Sequence, residues 1–169
     1  MITLRNIPVS TIAFLAASAF LAGAAELDFS RLPTPTLAHP ASAAKSPDAD
    51  GFLQRWLILE PIPIGNKQAE NASKAAVKIE YFANQFTVVP HDGDTVTAGG
   101  TNLTWHAVDT TRYNVNLYHF GYALNKSSAG VIFWAVTVVN CPEEIPNVRL
   151  AIGSNASSVW WVNGQEVTG

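Results

Sequence analysis

Nine consecutive residues, Val131 to Val139 (VIFWAVTVV), are β-branched or aromatic at every position but Ala135. A run this short is far from a bilayer span, and its composition disfavours a helix. It is the signature of a strand buried on both faces, as in the inner strand of a sandwich. Much of the remaining chain beyond residue 50 is strand-like too. Trp56-Leu57-Ile58-Leu59 reads as a strand closed by Pro61 and Pro63, which cannot donate to a central ladder. Shorter strands are expected at Phe86 to Val89, Thr95 to Thr97, Leu103 to Val108 and Val148 to Ile152, with a turn at His91-Asp92-Gly93-Asp94. Asn114 to Leu124 (NVNLYHFGYAL) alternates in a way that also predicts a strand. Val159-Trp160-Trp161-Val162 followed by Asn163-Gly164 is a hairpin signal, with Glu166-Val167 starting the returning strand. Ala69 to Phe82 is rich in good helix formers and predicts one short helix.

Only 14% of the 169 residues are charged, 10 basic against 13 acidic, so polarity comes mostly from hydroxyls and amides. Without Lys/Arg clusters the chain lacks the electrostatic footprint of a nucleic-acid binder or of a polybasic membrane surface. One cysteine, Cys141, excludes an internal disulfide framework and any Cys-based zinc cluster. Three fates stay open for it: a buried inert thiol, an intermolecular bridge, or pairing with a partner that this sequence does not contain.

The N-terminus reads as a leader. Arg5 precedes an apolar run from Ile7 to Leu21, and Ala22-Gly23-Ala24 has the small-x-small form of a signal-peptidase site. The expected division is a signal peptide over 1–24, a Pro/Ala/Ser-rich linker over 25–50 and a globular region over 51–169. Removing 1–24 deletes only Arg5 among the charges, taking the 10 basic residues to 9 against 13 acidic. The expected location is secreted or periplasmic, with no membrane attachment after cleavage. Asp48-Ala49-Asp50-Gly51 reads as a turn or cap, since the further ligands of a calcium loop are absent. The returning strand after Asn163-Gly164 is short for its partner, which leads to the expectation that further strands follow Gly169.

The end segment Val148 to Val167 (VRLAIGSNASSVWWVNGQEV) resembles the pattern "lxlgSddxvxvwvNGkxV" of galactose-binding-like jelly rolls. Phe52 to Pro63 (FLQRWLILEPIP) resembles the "WLvlGPfP" opening strand of the same modules. Together with Tyr81 to Phe86 and Phe133 to Cys141, the stretch is most similar to small secreted bacterial proteins often labelled acetylxylan esterase. The resemblance implies an all-β, antiparallel jelly-roll β-sandwich. It implies a carbohydrate-binding or accessory role in plant polysaccharide degradation, beside a carbohydrate-active enzyme. It further implies that relatives carry later strands and a second cysteine able to pair with Cys141. Asn155-Ala156 departs from the acidic pair common in that pattern, so contacts made there by relatives do not transfer.

Catalytic chemistry finds little support in the residues. No Gly-x-Ser-x-Gly elbow occurs, and Ser154, His106, His119 and Asp109 are the raw material for a serine esterase without a recognisable motif. Glu143 and Glu144 are adjacent, so in extended chain they point opposite ways instead of flanking a bond. His91, His106 and His119 lack metal-ligand spacing. No catalytic residue, metal ligand or cofactor is therefore assigned. Sugar recognition stacks rings on apolar sugar faces and fixes hydroxyls with amides and charged groups. The candidates are Trp105, His106, Arg112, Tyr113, Asn114, Asn116, Tyr118, Trp160, Trp161 and Asn163. One of Trp160 and Trp161 must face the core, because neighbours on a strand point to opposite sides; Trp56 and Trp134 read as core as well. Sequons begin at Asn71, Asn102, Asn125 and Asn155, and in a bacterial setting these read as ordinary turn residues. The alternatives to a sugar-binding module are an acetylxylan-type esterase and a structural or protein-interaction domain.

Overall fold

A computed structural model describes residues 45–65, 74–110 and 113–167 in full, together with the backbone of three strands further upstream, Ile2–Leu4 (β1), Ser10–Ala17 (β2) and Thr36–Leu37 (β3). The remaining strands are β4 (Arg55–Leu59), β5 (Ile62–Pro63), β6 (Thr95–Ala98), β7 (Thr101–Asp109), β8 (Val131–Val139), β9 (Ile145–Val148), β10 (Ser157–Val162) and β11 (Gln165–Val167). All the pairings are antiparallel. The main sheet runs β11-β10-β2-β8-β4-β7-β3, with β5 on β8 and β6 on β7, and β1 pairs β9 separately. The predominance of strands is what the alternation predicted and the antiparallel pairing is what the resemblance implied, whereas jelly-roll winding is an implication of the resemblance alone.

β8 is the centre of the fold. Residues 131–137 are all buried, and the two faces feed different clusters. Ile132, Trp134 and Val136 join Leu59, Leu103, Trp105 and Trp161 on one face. Val131, Phe133 and Ala135 join Trp56, Ile58, Val108 and Phe120 on the other. The single polar side chain in that run, Thr137, donates through Oγ1 to the Arg55 carbonyl at 2.9 Å, so its burial leaves no orphaned hydroxyl.

The first face is covered by residues 74–90, which differ from expectation. Residues 74–76 are helical and turns follow, so the expected helix does not extend to Phe82; residues 66–73 lie outside the described residues. The fully buried Gln85 organises the turns. Its Oε1 accepts from Tyr81 N at 2.8 Å and its Nε2 donates to Ile79 O at 3.1 Å, replacing the helical ladder with side-chain bonds. Phe82 and Phe86 then pack edge-on against Trp134. Phe86 to Val89 is accordingly turn and irregular chain, not a strand.

The second face is covered by a helix where a strand was expected. α1 (Leu117–Ala123) begins at Asn116, whose side chain accepts from His119 N at 3.1 Å. It ends with Asn125 at φ +53°, while Asn125 N donates to Tyr122 O and Lys126 N to Gly121 O, the paired bonds of a Schellman motif. Leu117, Phe120 and Leu124 recur at helical spacing, and all three pack on the second cluster. The near-alternating sequence thus satisfied two periods, and the caps at both ends decided between them. The strand expected over Val148 to Ile152 lies earlier, at β9; the strands and hairpin expected at 95–97, 103–108 and 159–167 are present. Asn163 and Gly164, at φ +51° and +77°, form the two-residue turn joining β10 and β11. Among the described residues, no helix is long and apolar enough to cross a membrane.

Candidate functional site

The chain has few charges, and three chemically useful groups gather at the end of β4. Glu60 follows β4 directly, and its backbone N–H donates to Thr104 O at 3.0 Å. Its Oε2 accepts from Thr104 N at 3.2 Å, and Lys126 Nζ stands 3.5 Å from Oε1. The Schellman turn after α1 sets Lys126 there. His106, on β7 opposite Ile58, brings Nε2 to 3.7 Å from Glu60 Oε1, beyond hydrogen-bond range. That nitrogen is buried and has no hydrogen-bond partner among the described residues. The imidazole instead packs edge-on against Phe120, with ring centroids 5.9 Å apart. The result is a covered carboxylate satisfied by an amide and an ammonium, with a histidine beside it.

A different surface lies at the start of β4. Tyr113 is 71% exposed and Phe52 42% exposed, and their ring centroids are 5.7 Å apart at 45°. Two rings standing in solvent against each other form a supported apolar plate with a phenolic edge, and the exposed Asn114 follows directly. Asp48 braces the loop beneath. Its Oδ1 accepts from Phe52 N at 2.8 Å and from Asp50 N at 3.1 Å, and its Oδ2 from Gln54 Nε2 at 2.9 Å, so the acidic stretch is the expected turn. Trp56 Nε1 donates to Leu53 O at 3.0 Å. Eight residues of chain, spanning at most about 29 Å, separate Phe52 from Glu60.

The residues singled out in the sequence therefore scatter. Trp105 is wholly buried and Trp161 nearly so; both are core side chains and present no ring to a ligand. Trp56 and Trp134 are core, as expected. Trp160 is half-buried, and its Nε1 donates to Ser158 Oγ at 3.2 Å. Asn116 is exposed but spends its side chain on the helix cap. Tyr118 is half-buried on α1, and Asn163 is exposed in the β10–β11 turn. Arg112 lies outside the described residues, as do the Ala22-Gly23-Ala24 site, most of the proposed linker and the Asn71 sequon. Among the described candidates, Tyr113 alone forms part of the aromatic plate, with Asn114 its exposed neighbour in sequence, and His106 alone belongs to the polar cluster.

Phe52, Glu60 and Lys126 were missed. Glu60 sits in a Pro-flanked strand end, and its meeting with Lys126 depends on a helix turn that the strand reading had erased. The esterase candidates do not converge. Asp109 is held by Arg55 through two bonds of 2.7 Å, Nε to Oδ1 and Nη2 to Oδ2, with Lys45 3.6 Å from Oδ1. The Arg55 bonds hold its carboxyl below the ordinary carboxylate range. Ser154 Oγ accepts from Ala156 N at 3.2 Å in a local turn. Cys141 is a free, buried thiol. No protein-family model matches the chain, no curated protein matches it, and no solved structure matches the fold.

Proposed function

We propose that the chain is an exported, non-catalytic β module that binds carbohydrate or supports a carbohydrate-active partner, and that its sugar platform is the Phe52–Tyr113 pair. The observation carrying this reading is the 71% exposure of Tyr113 while its ring rests on a second, braced ring. Leaving such a plate in water is costly unless something covers it, and a sugar ring presents a matching apolar face. Asn114 supplies the donor and acceptor needed beside it. The resemblance to galactose-binding-like modules supports the same ligand class.

A second reading, an acetylxylan-type esterase, draws its one favourable observation from the approach of His106 to Glu60 at 3.7 Å. Affinity electrophoresis against xylan and other plant polysaccharides, with acetate release measured on the same sample, separates the two. Retardation without acetate is the expected result, with Tyr113→Ala weakening it about tenfold, the effect of losing roughly 1.4 kcal/mol of stacking. Full retardation in Tyr113→Ala would remove the platform, and acetate release abolished by His106→Ala would transfer the function to the polar cluster. Neither signal from a folded sample would leave a structural or protein-interaction domain.

A further inference from the structure

β2 is the same segment that the sequence marks as the apolar stretch of a leader, and in the fold it is an interior strand. It pairs with β8 over its whole length, from Ser10 opposite Val139 to Ala17 opposite Ile132. On its other edge it pairs with β10, from Ile12 opposite Val162 to Ala17 opposite Ser157. β8 and β10 are both antiparallel to β2, so they run parallel to each other with one strand's width between them. Removal of residues 1–24 would strip both neighbours of a ladder. The loss falls hardest on β8, whose residues 131–137 are all buried. Unpaired amides and carbonyls in a buried strand are costly, so a vacancy there demands an occupant.

The walls of that position are tied together independently of the strand between them. Trp134 of β8 and Trp161 of β10 meet with ring centroids 5.1 Å apart, and Phe86 lies against both, at 5.9 and 5.0 Å. Closing the gap would shift one strand by about 4.8 Å and convert two antiparallel ladders into one parallel ladder. Such a shift would break up this ring cluster. Keeping the gap and filling it preserves the cluster.

We propose that the position between β8 and β10 is a strand-acceptor site, and that its occupant is residues 10–17 of this chain. Recognition is by main-chain pairing on both edges, the mode of strand addition. Processing of the leader and completion of the sheet then compete for one segment.

The test uses the full chain carrying a protease site between Ala25 and Leu32, cut after folding, with a labelled synthetic peptide of residues 8–18 as probe. The expected result is that the N-terminal fragment stays with the body on gel filtration. It should also be replaced by excess labelled peptide, but not by the peptide with Ala13→Pro, which lacks a ladder donor. Should the fragment leave, hydrogen exchange at residues 132–139 should accelerate on the order of a hundredfold and return to its former rate when peptide is added. Two results would overturn the site: departure of the fragment with exchange at 132–139 unchanged, or accelerated exchange that the peptide does not reverse.

Discussion

Phe120 and Tyr122 are two residues apart, and their contrast tests how residues 114–124 sit on the sheet. A strand would place both side chains on one face, and a helix places them about 200° apart. Phe120 is wholly buried, with ring centroids 6.5 Å from Phe133 and 5.9 Å from His106, whereas Tyr122 is 58% exposed. Phe120→Ala removes a buried aromatic and leaves a cavity between α1 and β8, a loss of about 3–5 kcal/mol. For a chain of this size that corresponds to about 6–20 °C in Tm, at 2–4 °C per kcal/mol. Tyr122→Ala should cost under about 1 kcal/mol. Urea unfolding followed by tryptophan fluorescence and far-ultraviolet circular dichroism reads both, and Phe120→Leu, at about 1–2 kcal/mol, keeps the comparison available if the alanine variant is too unstable to purify. Equal losses at 120 and 122, or a loss below about 1 kcal/mol at 120, would refute the helical packing.

Gly164 lies at φ +77°, and a Cβ there would stand 2.9 Å from Thr87 Cγ2, so Gly164→Ala should cost about 1–2 kcal/mol or more in a denaturant melt, while Asn163→Gly should change little. The Arg55 bonds depress the Asp109 carboxyl, so their stabilisation is fully present above its unfolded value of about 3.9 and is lost as pH falls through the lower folded value. The Tm of the unmodified chain should therefore drop more steeply below about pH 4 than that of Asp109→Asn. Parallel Tm profiles for the two would show that the pair contributes nothing.

The strands were legible where burial and turn chemistry agreed. Val131 to Val139 announced a doubly buried strand because no polar residue but Thr137 interrupts it, and Asn163-Gly164 announced its hairpin because both positions need positive φ. Asn114 to Leu124 misled because Leu117, Phe120 and Leu124 fit a helical face while the same letters also alternate. The decisive marks were short-range ones: Asn116 as a cap and Asn125 as a left-handed terminator, the latter read as a turn residue but not as the end of a helix. The short helix expected at 69–82 is present at residues 74–76 and stops short of Phe82, since Gln85, outside the predicted window, captures the backbone of Ile79 and Tyr81. As for sites, composition pointed to aromatic residues but could not say which were spent on packing. Trp105 and Trp161 went to the core, and the exposed plate fell to Phe52, which carries no polar tip to mark it.

The polar cluster shows why proximity of acid and histidine does not by itself make a catalytic pair. Placing Glu60 under cover is expensive unless its oxygens are bonded. Thr104 N supplies one partner from β7, and Lys126 supplies a charge from the end of α1. Both are delivered by elements whose position is fixed for other reasons, the β4–β7 pairing and the seating of Phe120. Glu60 is thus satisfied without a hydrogen bond from His106, and the imidazole's nearest structural commitment is to the Phe120 ring. An activated serine would need a hydroxyl within hydrogen-bond reach of that ring, whereas Ser154 is engaged in its own turn. The arrangement fits a latch that holds α1 over the second face of β8 better than it fits acyl transfer. By the same logic the Phe52–Tyr113 plate, whose rings stand exposed against each other, is the feature on which the proposed carbohydrate reading rests.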